Sequence, residues 1–162
     1  MHKRKLVMAL LVAAAPALWA QSSTSGSTFT RTQDLPPVGL AASESAQINL
    51  VNIAAASSSG TAASCTGAIS FLNSSGTVIG SATTYTLGTN QSKSVTLPYA
   101  SVGATGRTSI RGVVTQTTTE GSGVPCQVLV SFEIFDTSTG ATHVYIAANE
   151  AGYGPQGGGP GH

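Results

Sequence analysis

Cys65 and Cys126 are the side chains of greatest chemical reach in this chain. Neither lies in a Cys-x-x-Cys spacing or beside cations that would lower a thiol pKa, so a redox or metal role is disfavoured against a structural bridge. His143 is the one histidine inside the candidate domain, since His2 lies near the amino terminus and His162 ends the chain. A lone imidazole is not a metal site, and alternation with Val144 places His143 on a solvent-facing rim. A Ser-His-Asp mechanism would need His143 as base, Asp34 or Asp136 as orienter and an activated serine, yet no serine sits in a Gly-x-Ser-x-Gly elbow. Glu120, Glu133 and Asp136 could supply paired carboxylates for glycoside hydrolysis, but solvated turn and strand charges are the preferred reading. No loop gathers enough carboxylates for a calcium cage. The expectation is therefore no catalytic, cofactor or metal site. Tyr85, Tyr99, Tyr145 and Tyr153, with Arg107 and Arg111, are residue types favoured at binding surfaces, against the simpler reading of strand packing.

The amino terminus has the pattern of an export signal: basic residues His2 to Lys5, an apolar stretch from Leu6 to Ala15, then small residues. Leu6 to Ala20 falls short of the roughly twenty residues a bilayer-crossing helix needs, so no membrane span is expected in the mature form. Cleavage fits after Ala17 or Ala20. The second site is preferred and leaves Gln21 first. Cys65 lies too far along to carry a lipid there, and the basic region has no Arg-Arg pair, which points to export unfolded. The mature protein is expected to be secreted or periplasmic. It keeps Arg31, Lys93, Arg107 and Arg111 against Asp34, Asp136, Glu44, Glu120, Glu133 and Glu150, a net charge of four minus six, or −2. Four scattered cations cannot replace the counterions of a phosphate backbone, which excludes nucleic acid as partner.

Residues 21–43 read as a flexible Ser/Thr-rich arm with a Pro36-Pro37 lead-in, because they hold too little apolar surface to offset the entropy of ordering. Residues 149–162 read as a disordered Gly/Pro-rich tail. Between them, over 44–148, apolar residues alternate with period two in short runs separated by Gly, Ser, Asn and Pro. These runs predict seven antiparallel strands: Ala46 to Ala54, Ser64 to Leu72, Thr77 to Tyr85, Ser92 to Leu97, Arg107 to Gln116, Cys126 to Asp136 and Ala141 to Ala148. The sixth is clearest, with Cys126, Val128, Val130, Phe132 and Ile134 on one face. In the first, Ile48 and Leu50 differ in parity from Val51 and Ile53, which predicts a bulge near Leu50 or burial on both faces. Lys93 shares parity with Val95 and Leu97 and marks an exposed strand start or an edge. Asn73-Ser-Ser-Gly76, Leu87 to Gln91 and Asp136 to Gly140 are turns, the first and last ending in a glycine able to adopt positive φ. Asn73 and Asn90 also begin glycosylation acceptor triplets.

If strands alternate in direction, the second and sixth run parallel and both cysteines stand at the same end, pointing inward. A disulfide between sheets follows, and closing so long a loop is worth about 4 kcal/mol in the unfolded state. This arrangement resembles the immunoglobulin-like β-sandwich over residues 44–148, without the buried tryptophan and with Val124 in place of the corner tyrosine. The expectation is an all-β, non-enzymatic, exported module at the cell surface or in the periplasm, meeting an unknown protein or surface glycan. The alternatives are a fibre or adhesin subunit assembled by strand addition and a small secreted hydrolase.

Overall fold

In the computed structural model, the residues described are 28–55, 64–119 and 126–148. The expected export signal, its expected cleavage site and the expected disordered Gly/Pro-rich tail lie outside them. Among the described residues nine strands occur in this order: β1 (Thr28–Asp34), β2 (Val38–Leu40), β3 (Glu44–Asn52), β4 (Cys65–Asn73), β5 (Thr83–Leu87), β6 (Ser92–Pro98), β7 (Thr108–Thr119), β8 (Val128–Asp136) and β9 (Thr142–Ala148). A 3₁₀ turn spans Tyr99–Ser101. No helix among the described residues is long and apolar enough to cross a membrane.

The strands form two antiparallel sheets packed as a sandwich. One sheet has the order β1-β7-β4-β5, with β2 also paired to β7; the other has the order β6-β3-β8-β9. Period-two alternation sends Ala46, Ile48, Leu50, Ile69, Phe71, Val128, Val130, Phe132 and Ile134 into one core. Phe71 of β4 and Phe132 of β8 meet across it with ring centroids 6.3 Å apart. At Gly112, a Cβ would come within 2.6 Å of Ile48 Cδ1 and 2.9 Å of Leu35 Cδ1, so the bare backbone there lets both side chains pack. β3 lies between β6 and β8, whereas the immunoglobulin order places the first two core strands side by side.

The disulfide forms as expected. Cys65 opens β4 in one sheet, Cys126 stands two residues before β8 of the other, and their Cα atoms are 5.3 Å apart. The Asp136 turn is also as read, with Gly140 at φ 72°. The Asp136 carboxylate accepts from the Ser138 and Thr139 amides, both at 2.9 Å, and from both hydroxyls.

Three expectations are corrected. Thr28–Asp34, assigned to the flexible arm, is a strand in seven-residue register with β7, and Val38–Leu40 adds a short one. Main-chain pairing orders a segment whose composition lacks apolar surface, while Leu35, Val38 and Leu40 of the lead-in are buried. The strand expected over Thr77 to Tyr85 begins only at Thr83, because Gly80 takes φ 71° and Val78 makes an isolated bridge to Leu72. No bulge interrupts β3, whose pairing with β6 and β8 is continuous. Val51 is half-buried on the outer face and Ile53 is exposed beyond the strand end. The core face continues through Asn52 and Ala54, and the polarity of Asn52 disguised its phase.

Candidate functional site

The tyrosines and arginines singled out by type do not converge. Tyr85 is buried on β5, where its hydroxyl donates to the Thr115 carbonyl at 3.1 Å and burial pushes its pKa up to about 12. The Tyr99 hydroxyl lies 3.0 Å from the Ala104 carbonyl and 2.8 Å from that of Gly106, which staples the loop between β6 and β7. Arg107 lies over Gly39 of β2, and Arg111 pairs with Asp34 at 3.4 Å on the surface. Tyr153 and Glu120 fall outside the described residues. Of the described tyrosines, Tyr145 is the one presented to solvent, at 63% exposure.

His143 sits at the rim, as expected. Its Nδ1 is 2.9 Å from Glu44 Oε1, and the Ala41 amide donates to Glu44 Oε2 at 2.7 Å. The hydrogen bond from His143 holds the Glu44 carboxyl below its usual range. The result is a tie between β9 and the start of β3. Asp136 Oδ1 is engaged within its own turn, and the carboxylate that meets His143 is that of Glu44.

The most organised surface is the outer face of the four-stranded sheet. Register aligns Tyr145, Glu133, Gln47 and Thr96 in one row across β9, β8, β3 and β6. Ala147, Ser131, Asn49 and Ser94 form the next row. Gln47 Nε2 donates to Asn49 Oδ1 at 2.8 Å and to Glu133 Oε1 at 3.0 Å. Asn49 Nδ2 donates to the same Glu133 oxygen at 2.9 Å and to Ser131 Oγ at 3.4 Å. The Ser94 hydroxyl donates to Asn49 Oδ1 at 2.6 Å, and that of Thr96 to Gln47 Oε1 at 2.8 Å. At the β9 side, the Thr142 hydroxyl lies 3.4 Å from Glu133 Oε2. Planar side chains locked to one another in this way lose less freedom when they meet a ligand. The available signal was the polar parity of β3 and β8 opposite their core residues, but strand order was needed to join the two rows.

A second feature is a depression of about 550 Å³ bounded by Pro37, residues 73–76, Ile110 and Arg111. In its wall, Asn73 Oδ1 accepts from the Ser75 amide and hydroxyl and from the Thr77 amide, so its role is to shape the turn. Among the described residues, no group of three or more His, Cys, Asp or Glu side chains is placed to hold a metal.

Comparison with protein-family models, with curated proteins and with solved structures finds no match for this chain.

Proposed function

We propose that this chain is an exported, non-enzymatic β-sandwich acting as an interaction module at the cell surface or in the periplasm. The observation that carries this reading is the polar outer face of the four-stranded sheet, where amides, hydroxyls and one carboxylate are held in two rows on a rigid scaffold. The cross-sheet disulfide supports an oxidising compartment. Two measurements test the proposal. Native material fractionated from its host is expected outside the cytoplasm, beginning at Gln21 and without free thiol; cytoplasmic, reduced protein overturns the export reading. A panel of esterase, protease and glycosidase substrates is expected to show no turnover, and turnover abolished by His143→Ala overturns the passive one.

A second reading, a subunit assembled by strand addition, is favoured by β1. Its side chains are exposed apart from half-buried Gln33, and its pairing to the β7 edge is joined to the core through Pro36 and Pro37. Such a strand can leave one β7 edge and occupy that of another copy. Light scattering on the mature chain is expected to show assemblies that grow with concentration and vanish in a chain beginning at Leu35. A strict monomer at high concentration excludes this route.

A further inference from the structure

We infer that the outer face of the four-stranded sheet binds a neutral polysaccharide, with Tyr145 as the stacking platform and Glu133, Gln47, Thr96 and Ser94 as the acceptors for sugar hydroxyls. The inference rests on the interaction-module reading and names the ligand class of that face.

Counting donors and acceptors sets the chemistry. Both Gln47 amide hydrogens are committed, to Asn49 and Glu133, and both Asn49 amide hydrogens go to Ser131 and Glu133. Asn49 Oδ1 already accepts two bonds. The capacity left over is mainly acceptor capacity: Glu133 Oε2, which has only a long contact to Thr142, one lone pair of Gln47 Oε1, and the hydroxyl oxygens of Ser94 and Thr96. A ligand suited to this face brings many O–H donors.

The aromatic ring lies where such a ligand needs it. Tyr145 is opposite Glu133 in register, with the small residues Ala147 and Ser131 beside it on one side and Phe135 and Thr142 on the other. Its exposed ring offers a flat apolar surface to the C–H face of a sugar. The row from Tyr145 to Thr96 crosses four strands, about 14 Å at roughly 4.8 Å per strand, the reach of a short oligosaccharide. Charge on the two rows is limited to one carboxylate, so ionic pairing is a minor resource of this face beside its neutral acceptors. The one carboxylate in the row is already solvated by two amide donors on a single oxygen, which offsets much of its pull.

The test uses the oxidised, signal-processed chain in pull-down on insoluble cellulose, chitin and β-1,3-glucan, with affinity electrophoresis in soluble xylan and mannan. At least one of these is expected to retain the protein, with little change between low and high salt. Tyr145→Ala is expected to weaken retention about tenfold or more, and Tyr145→Trp to keep it. Tyr145 is exposed, so a thermal transition matching the parent verifies that the variants fold. Failure of all five glycans, a Tyr145→Ala variant that binds like the parent, or retention lost on adding salt overturns the inference. Release of soluble sugar from a retained glycan would leave the ligand class standing and overturn the passive reading instead. Failure to bind by an exported, turnover-free protein removes the ligand and leaves the module.

Discussion

Asn52 stands fully buried on the core face of β3, among apolar neighbours, and bridges three parts of the fold. Its Nδ2 donates to the Leu87 carbonyl at 3.0 Å, its Oδ1 accepts from the Ala54 amide at 2.9 Å, and its backbone carbonyl takes the Asn90 amide at 2.8 Å. Asn52→Ala leaves a buried carbonyl and amide without those partners, at a cost of roughly 1–3 kcal/mol that should appear as a lower denaturant midpoint with unchanged slope. Two ionisable groups give the stability curve its shoulders. Glu44 has a folded pKa held below 4.5 chiefly by the hydrogen bond from His143, so its contribution is present above that value and is lost as pH falls through and below it. The stability gap between the parent and Glu44→Gln should therefore close on acidification, as followed by urea midpoints across the acid range. Tyr85 moves the other way. Its folded pKa of about 12 lies above the ordinary 10.0 of a tyrosine phenol, so the neutral phenol stabilises the fold below pH 10 and that contribution disappears as pH climbs toward 12. Tyr85→Phe should lose less stability than the parent over that alkaline interval.

At the scale of elements, the amino-terminal segment divides at Leu35. β1 is joined to the molecule by main-chain pairing and leaves Phe29 56% exposed, whereas Leu35 is 2% exposed and packs toward Gly112 and the core. The Leu35 amide also donates to the Gly112 carbonyl at 2.9 Å. Leu35→Ala is expected to cost about 2–5 kcal/mol in chemical denaturation, because it opens a cavity between the sheets. Removing residues 21–34 should cost less than that substitution, since none of its described side chains, Thr28–Asp34, is fully buried. A truncation as damaging as Leu35→Ala would show that β1 carries more of the fold than its exposure implies. The same asymmetry explains why composition assigns this segment to an arm while the fold makes it a strand. Composition reports how much apolar surface a segment can bury, and β1 is ordered by pairing that any backbone can make once a β7 edge is beside it. β9 closes the other end through the turn that Asp136 caps, and there local residues did carry the signal. An Asx acceptor and a positive-φ glycine need only their immediate neighbours.

For the whole molecule, the bridge between Cys65 and Cys126 closes 61 residues and clamps the two sheets together. Replacing both cysteines with alanine should lower stability by about 4 kcal/mol, read as a shift in midpoint for a chain that retains its β circular dichroism. A double variant as stable as the parent would remove the disulfide from any account of how this small domain holds together. The amino-acid order determined the β class, most strand positions, the inward parity of β4 and β8 and the cysteine pairing. Each of these follows from alternation along one strand or from the inward parity that the two cysteines share. Tertiary structure decided which strands are neighbours, and therefore that Tyr145, Glu133, Gln47 and Thr96 share a row although they come from four separate segments. Pairing across a sheet depends on contacts between distant residues, and a face assembled from four strands has no signature within any one of them.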